Sequence, residues 1–225
     1  MNMNKLPIDL IQYCIFDKLD FKTQIRFRQI CKRLNRIDIH NIHFYVNYKY
    51  LRNLSDKVFI NYPKVKYFNA LGNPKMTNIN HMTNLQILDA SYNCGLDDNG
   101  IKDLNLIELD VSDNPKITNV NHMTNLQILN ASFNCGIDDN GIKNLNLIEL
   151  NASDNPKITN INHMTNLKIL GASRNCGINY NNIKNLNLIE IYIYNNQKIK
   201  INNLRHINSL QCINACKMVA LTAII

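Results

Sequence analysis

The sequence has no long hydrophobic run, although 45% of its 225 residues are hydrophobic. A transmembrane helix needs about 20 consecutive apolar residues, so none is predicted. Residues 1–7 also lack the apolar core that a secretory signal peptide requires. These absences predict a cytoplasmic or nuclear protein that has no membrane partner.

Motifs that carry enzyme chemistry are also missing. The chain has no glycine-rich phosphate loop, no H-E-x-x-H motif and no paired C-x-x-C motifs. The acidic pairs Asp97-Asp98 and Asp138-Asp139 recur, but no histidine or other metal ligand lies near them in the sequence. We interpret these pairs as helix caps and solubilising groups. The sequence therefore predicts a non-enzymatic protein with no catalytic residue, no metal and no cofactor.

What the sequence does contain is a tandem repeat with a period of 41 residues. The pentapeptide His-Met-Thr-Asn-Leu occupies residues 81–85, 122–126 and 163–167, with nearly identical sequence between the copies. A fixed period of this length indicates a stacked array. Each block divides into two units of 20–22 residues. Eight units begin at Val65, Leu85, Leu106, Leu126, Leu147, Leu167, Leu188 and Leu210.

Each unit follows the frame L-x-x-L-x-L-x-x-N. In one unit Leu109 and Val111 are two residues apart, so on a strand they point to the same side. Glu108, Asp110 and Ser112 are then expected to point to the other side. One short strand cannot bury its apolar side alone, but stacked strands pair edge to edge and bury a continuous core.

The ninth position of the frame is asparagine in seven units. Asparagine suits turns and carries both a donor and an acceptor, so an inward side chain can satisfy backbone groups where the chain leaves the strand. We predict a structural asparagine ladder formed by Asn73, Asn93, Asn114, Asn134, Asn155, Asn175 and Asn196.

Three of the seven cysteines also follow the 41-residue period: Cys94, Cys135 and Cys176. Neighbouring strands lie about 4.8 Å apart, so cysteines two strands apart are roughly 10 Å from each other. A disulfide requires Cα atoms within about 7 Å. We therefore predict that these cysteines are reduced and buried. The same spacing argues against a metal cluster at the recurring histidines.

The frame resembles the leucine-rich repeat, over residues 65–218. This resemblance implies an α/β fold, a right-handed solenoid of about eight units. Residues 114–123, Asn-Pro-Lys-Ile-Thr-Asn-Val-Asn-His-Met, resemble the tight convex side of internalin-like repeats. Residues 93–104 instead predict a short helical turn that begins near Asp98 or Asn99 and ends near Leu104.

The excess positive charge lies before the repeats. Residues 1–64 hold 12 Lys or Arg against 5 Asp or Glu, a net +7, whereas residues 65–225 hold 13 against 12, a net +1. The two parts are therefore expected to have different roles. Within residues 5–37, apolar residues at i, i+3 and i+4 predict two amphipathic helices, and Asp20 is expected to cap the second.

Three stretches in these helices resemble an F-box: Leu-Pro-Ile-Asp-Leu at 6–10, Ile-Phe at 15–16, and Ile-Cys-Lys-Arg-Leu at 30–34. Leu34 stands where many F-boxes have tryptophan. The resemblance implies docking to the S-phase-kinase-associated adaptor of cullin–RING ubiquitin ligases, through Leu6, Pro7, Leu10, Ile15, Phe16 and Leu19. The alternative is that these helices only cap the solenoid. Binding of nucleic acid is disfavoured, because no exposed aromatics interleave with the basic residues.

The sequence thus predicts three parts: a helical F-box-like domain at 1–40, a linker with an N-terminal cap or degenerate repeat at 41–64, and leucine-rich repeats at 65–225. In the linker, residues 44–48 predict an irregular strand, and Ser55 predicts the cap of a short helix that reaches Tyr62. The apolar residues 219–225 are expected to fold over the last strand, the alternative being an exposed, aggregation-prone end.

Solenoids bind partners on the strand side, so we expect a target-binding face on the concave side of the repeats. The face is predicted to contain Asp89, Tyr92, Glu108, Asp110, Asp113, Asn130, Phe133, Glu149, Asn151, Asp154, Arg174, Tyr192 and Tyr194. The resemblance implies a substrate-recognition adaptor of a Skp–cullin–F-box type ubiquitin ligase. The alternative is a leucine-rich-repeat scaffold with no ubiquitin role.

The combination of an F-box, repeats and abundant Asn, Ile and Lys resembles proteins of giant amoeba viruses and of amoebae. It implies a cytoplasmic location, in the cytoplasm of the host for a viral protein.

Overall fold

In the part of the chain that the structure describes, nine strands form one parallel sheet, and each strand pairs with the next one along the sequence. The computed structural model describes residues 23–24, 26, 41–42, 54–60 and 62–215. The strands are β1 (Asn41–Ile42), β2 (Tyr67–Asn69), β3 (Ile87–Asp89), β4 (Glu108–Asp110), β5 (Ile128–Asn130), β6 (Glu149–Asn151), β7 (Ile169–Gly171), β8 (Glu190–Tyr192) and β9 (Cys212–Asn214).

Short helices lie between the strands on the return path of several units. They are the 3-10 helices Asp56–Phe59 and Tyr180–Asn182 and the α-helices α1 (Asp98–Ile101), α2 (Asp139–Ile142) and α3 (Ile201–Leu204). No helix within the described residues is long and apolar enough to cross a membrane. Thr23, Gln24 and Arg26 are helical and belong to the stretch predicted as the second amphipathic helix.

The cap prediction is confirmed for α1 and α2. The Asp97 carboxylate accepts a hydrogen bond from the Gly100 backbone N at 2.9 Å, and Asp138 accepts one from the Gly141 backbone N at 3.0 Å. Glycine is required at position 100 because a Cβ there would lie 2.3 Å from the Thr77 carbonyl oxygen of the preceding unit. The helical turns therefore pack backbone against backbone.

The core runs as a continuous column through the array. The central residue of each strand from β2 to β8 is at most 1% exposed: Phe68, Leu88, Leu109, Leu129, Leu150, Leu170 and Ile191. Burying one such side chain contributes on the order of 2 kcal/mol relative to leaving it exposed. The repeated frame thus produces the solenoid, because every unit buries the same positions against its neighbours.

The asparagine ladder is present in only every second unit, so the predicted seven-residue ladder was wrong. Asn73, Asn114, Asn155 and Asn196 are buried, whereas Asn93, Asn134 and Asn175 are exposed. In the exposed units the buried place is taken by the following residue: Cys94, Cys135 or Cys176.

Hydrogen bonds explain this alternation. The Asn114 side-chain amide donates to the Ala90 carbonyl oxygen at 2.9 Å and the Leu96 carbonyl oxygen at 3.3 Å of the preceding unit. The units with a buried cysteine instead place a glycine directly against the backbone of the preceding unit. A Cβ at Gly95 would lie 2.4 Å from the Pro74 carbonyl oxygen. A buried asparagine and a buried cysteine therefore serve two different turns.

The stretch 54–60 packs on the first repeat as the later units pack on each other. The Asp56 carboxylate accepts hydrogen bonds from Thr77 Oγ1 at 2.8 Å and Asn78 N at 3.0 Å. Asp98 binds Thr118 of the next unit in the same way. The predicted helix from Ser55 to Tyr62 is a shorter 3-10 helix, and the Ser55 side chain makes no cap hydrogen bond.

The two ends of the sheet differ from the predicted ends or lie outside the described residues. The sheet begins at β1, whose Asn41 pairs with Tyr67, while the predicted strand at 44–48 lies outside the described residues. At the other end Ile213 occupies a core position in β9 but is 40% exposed, compared with 1% for Leu88. The apolar residues 219–225, predicted to cover this end, also lie outside the described residues.

Candidate target-binding face

The strands present one open surface, which we call the open sheet face. It consists of the first and third residues of the strands β2 to β8 together with the eighth residue of each of the first seven units. The first and third residues are half-buried while the central residue is buried, except at Gly171, which is buried. The parallel register aligns these residues in rows across the sheet.

Most of the predicted target-binding residues lie in these rows. Glu108, Glu149 and Glu190 share the first row, Asp89, Asp110, Asn130, Asn151 and Tyr192 share the second, and Tyr92, Asp113, Phe133, Asp154 and Arg174 share the third. Tyr194 lies elsewhere. It occupies the seventh position of its unit, where the five preceding units have serine, and is half-buried.

The second row is partly used by the fold itself. The Asp110 carboxylate accepts hydrogen bonds from the Ser112 backbone N at 2.8 Å and from the Asn130 amide at 2.9 Å. Ser112 is 4% exposed, so the expectation that it faces outward was wrong: its turn carries it into the core. These side chains therefore close the strand ends and are only partly available to a partner.

Gly171 interrupts the second row. In two other units the equivalent residue accepts a hydrogen bond from the serine hydroxyl two positions later, as Asn130 Oδ1 accepts one from Ser132 Oγ at 2.7 Å. With glycine in that place, the buried Ser173 hydroxyl has no hydrogen-bond partner within the described part of the chain. A Cβ at position 171 would lie 2.5 Å from Asn151 Oδ1, so the Asn151 side chain uses the space that glycine leaves.

The first row carries glutamates that the fold does not neutralise. Burial raises the pKa of Glu108 above its usual range, and the neighbouring Asp110 raises it further. Burial also raises the pKa of Glu149, and the flanking Glu108 and Glu190 add to this increase. Within the described residues, neither Glu108 nor Glu149 has an ion-pair partner. Their row is therefore a line of uncompensated negative charge.

Glu190 differs from Glu108 and Glu149 because its carboxylate has a hydrogen-bond partner in Tyr192. The Tyr192 hydroxyl donates a hydrogen bond to the Glu190 carboxylate. This bond, together with burial and the charge of Glu190, raises the pKa of Tyr192 to about 12. The acceptor oxygen of Glu190 is thus already engaged at this end of the face.

The third row has an unusual backbone. Its members have positive φ angles, from 54° at Asn195 to 59° at Phe133 and Asp154. Glycine and asparagine tolerate this conformation, but a bulky side chain there costs on the order of 1 kcal/mol. Tyr92 and Phe133 nevertheless occupy it and are 55% and 44% exposed. Large exposed aromatics at strained positions point to a role in binding.

The only described cation in the third row is already paired. Arg174 Nη1 lies 3.0 Å from Asp154 Oδ2 of the preceding unit. The Arg174 side chain is 49% exposed and that of Asp154 is 24% exposed, so the pair contributes little to stability. Its effect on the face is to leave Asp113 and the glutamate row as the negative part of the surface.

Sequence reasoning missed a row of exposed isoleucines beside the face. Ile107, Ile148 and Ile189 precede β4, β6 and β8 and are 37–41% exposed. Ile107 and Ile148 line a groove of about 350 Å³ together with Gln127. The signal was available, because these residues recur every 41 residues at the second position of the frame.

The recurring histidines and cysteines have structural roles. The His122 Nε2 atom lies 3.3 Å from the Ile101 carbonyl oxygen, and His163 makes the same contact with Ile142. Cys94, Cys135 and Cys176 are free and buried, as predicted, and burial raises the pKa of the Cys94 thiol to about 12. No group of described residues is arranged to hold a metal ion.

Comparison with known proteins agrees with this geometry. The fold resembles the crystal structure of an internalin from Listeria monocytogenes, with a TM-score of 0.50 and 17% sequence identity. The alignment covers 80% of this chain and 62% of the internalin chain, so the protein spans less than two thirds of that relative. The repeats therefore form a leucine-rich-repeat solenoid.

The N-terminal part is identified separately. Residues 3–45 match the family model of the F-box domain. The matched range runs past the predicted boundary at residue 40 and includes β1, which pairs with the first repeat strand. No curated protein gives a significant sequence match. The protein thus combines an F-box domain with leucine-rich repeats, a combination whose families are usually non-enzymatic adaptors.

Proposed function

We propose that the protein is a non-enzymatic substrate-recognition adaptor of a cullin–RING ubiquitin ligase. The F-box domain docks to the S-phase-kinase-associated adaptor, and the open sheet face captures a target protein. The observation that carries this proposal is the presence in one chain of an F-box domain at 3–45 and a solenoid with an exposed binding surface. The proposed location is the cytoplasm, that of the host for a viral protein.

The repeat half of the proposal rests on the chemistry of the open sheet face. Tyr92 and Phe133 supply exposed aromatic area, which is enriched at protein interfaces. Glu108, Glu149 and Asp113 supply negative charge, which repels nucleic-acid phosphates. A folded protein or an extended peptide is therefore a better partner for this surface than a nucleic acid. The face spans seven strands from β2 to β8, about 29 Å.

The F-box half is tested by pull-down of the full chain with the purified adaptor. The docking residues implied by the resemblance lie outside the described residues, so they are tested by mutation: Leu6, Pro7, Leu10, Ile15, Phe16 and Leu19. Leu6→Asp and Ile15→Asp should each weaken adaptor binding roughly 30-fold or more, as expected for a central apolar contact. Ile148→Asp, at an exposed apolar residue of the repeats, is the matched control and should bind normally.

Circular dichroism melts of the same variants separate docking from a cap role. A docking surface predicts lost adaptor binding with an unchanged melt of the repeats. Earlier melting of the whole array would instead assign these helices to capping the solenoid. If the wild-type chain does not bind the adaptor at all, the scaffold with no ubiquitin role becomes the better description.

A further inference from the structure

Two kinds of strand alternate across the open sheet face. The acidic strands β4, β6 and β8 begin with Glu108, Glu149 and Glu190, and the apolar strands β3, β5 and β7 begin with an isoleucine. Each acidic strand therefore has an apolar strand on at least one side. A partner that crosses the strands meets negative charge and apolar surface in turn.

The third row repeats this alternation from β3 to β6. Tyr92 and Phe133 follow the apolar strands β3 and β5, whereas Asp113 and Asp154 follow the acidic strands β4 and β6. Tyr92 and Phe133 are thus two strands apart, as are the successive glutamates. From β3 to β6 both rows therefore share a period of two strands. Arg174, which follows β7, ends the alternation in the third row.

The length of this period selects the conformation of a partner. Neighbouring strands are about 4.8 Å apart, so the glutamates repeat every ~9.6 Å. A polyproline-type segment returns a side chain to the same side every three residues, or ~9.3 Å. Two turns of an α-helix advance ~10.8 Å, and a β-strand returns every ~6.6 Å. Of these spacings, the polyproline-type one lies nearest to the spacing of the glutamates.

The charge of the surface selects the chemistry of that partner. Within the described residues, Glu108 and Glu149 make no ion pair, and Arg174 is engaged by Asp154. A basic side chain placed over each glutamate would neutralise charge that the fold itself leaves uncompensated. The isoleucines between the glutamates, and the aromatics of the third row beside them, would pack against aliphatic stems and proline rings.

We propose that the open sheet face binds an extended, polyproline-type segment that carries Lys or Arg at every third residue. This proposal rests on the proposed function, because it names the class of target that the solenoid captures. The basic side chains face Glu108, Glu149 and Glu190, and the residues between them lie on the apolar strands. Tyr92 and Phe133 flank the segment on one side.

The probe is a labelled peptide of about 12 residues with the repeat Lys-Pro-Pro, which favours the polyproline conformation. Binding to the full chain is measured by fluorescence anisotropy. The control peptide has the same composition with its lysines clustered at one end. We expect the spaced peptide to bind about tenfold more tightly, since the clustered lysines cannot reach glutamates on all three acidic strands. A peptide with Glu in place of Lys should not bind.

The variant Glu149→Gln removes the central charge of the row and keeps the shape of the side chain. It should weaken the spaced peptide about fivefold, while the triple variant E108Q/E149Q/E190Q should reduce binding at least tenfold. Asp103→Asn is the matched control, because it removes one exposed negative charge outside the face. It should leave peptide binding unchanged.

Several outcomes would overturn the proposal. Equal binding of spaced and clustered peptides would remove the periodic match, and an unaffected E149Q variant would remove the glutamate row. Self-association that E149Q abolishes, with no peptide binding, would mean that the basic N-terminal part of a second copy occupies the face.

Failure of this inference is distinguishable from failure of the proposed function. E149Q should still bind the S-phase-kinase-associated adaptor, because the F-box lies outside the open sheet face. Lost peptide preference with intact adaptor binding counts against the target class alone. Intact peptide preference without adaptor binding counts against the ligase role alone.

Discussion

Backbone conformation decides which residues of the open sheet face serve the fold and which serve binding. The third-row position requires a positive φ, and glycine or asparagine satisfies it with little strain, as at Gly72 and Asn195. Tyr92 and Phe133 stand in the same conformation at a cost. Tyr92 is 55% exposed and Phe133 44%, so the fold gains little from the rings to offset this cost, which favours a role in binding.

This argument predicts opposite effects on stability and binding. Tyr92→Asn and Phe133→Asn should leave the free energy of unfolding unchanged or raise it by up to ~1 kcal/mol, because asparagine relieves the strain. Target capture should weaken. Urea unfolding and the peptide assay measure the two effects. Lys102→Ala and Lys143→Ala, which are exposed outside the face, should affect neither. A large loss of stability in the asparagine variants would show that the rings are part of the core.

Two asparagines at the same frame position have different roles. Asn114 is buried and bonds to two carbonyl oxygens of the preceding unit, whereas Asn134 is exposed. Asn114→Ala should lower the free energy of unfolding by about 2 kcal/mol, because buried carbonyls lose their donor. Asn134→Ala should change it by less than about 0.5 kcal/mol. Equal losses in the two urea titrations would contradict the alternating ladder.

At the scale of elements, the sequence predicts the strands well because their signal is the core itself. The central residue of each strand from β2 to β8, such as Leu88 or Leu109, is buried, so the apolar frame alone places the strands. The turns after the strands are harder to predict from the sequence. Asn93 and Cys94 both suit a turn, and the pattern does not reveal which one enters the core. That choice depends on the close approach of Gly95 to the preceding unit, which only the packed structure contains.

The residues of the candidate face also divide into strand positions, which the sequence predicts, and turn positions, which it does not. Alternation along a strand places Glu108 and Glu149 outside the core, and the structure agrees. Ser112 and Tyr194 follow the strand, where the chain turns and period-two reasoning no longer applies. The positive φ of the third row was also beyond prediction, since the sequence places aspartate, tyrosine and phenylalanine there as freely as glycine.

The acidic strands predict a dependence of stability on pH. The pKa of Glu149 is raised above its ordinary value near 4.5 by burial and by the neighbouring glutamates. Between these two pKa values the folded state binds more protons than the unfolded state. The free energy of unfolding therefore falls as the pH rises through this window, and it stays lowered at pH 7. Below about pH 4.5 this loss is absent.

Glu149→Gln should remove this contribution. The variant is expected to be more stable than the wild type at pH 7 and equal to it at about pH 4, where the wild-type carboxyl is protonated in both states. Urea unfolding at the two pH values measures the difference. Asp103→Asn, an exposed single-charge control, should shift stability little at either pH. A stabilisation by E149Q that persists at low pH would exclude the carboxylate charge as its cause.

For the whole molecule, the structural repeat is the block of 41 residues rather than the single unit. The asparagine turn of Asn114 bonds to the cysteine unit before it. The next cysteine unit packs against that turn in its own way, since a Cβ at Gly136 would lie 2.5 Å from the Pro115 carbonyl oxygen. Each kind of unit is thus built to follow the other. The alternation of acidic and apolar strands on the open sheet face comes from the same pairing.

Deletions test this two-unit repeat. Removing residues 106–146 takes out one whole block and joins Asn105 to Leu147, which Asn146 precedes in the intact chain. The shortened array keeps its alternation, so it should unfold cooperatively with a modestly lower midpoint, as expected when stability is summed over neighbouring repeats.

Removing residues 106–125 takes out a single unit and stacks two cysteine units. Gly136 then loses the Pro115 turn that it packs against, and Asn114 is lost with its hydrogen bonds. This smaller deletion should cost several kcal/mol more than the larger one, measured by urea and thermal unfolding. If the single-unit deletion is the more stable of the two, the units are interchangeable and the block is not the repeat.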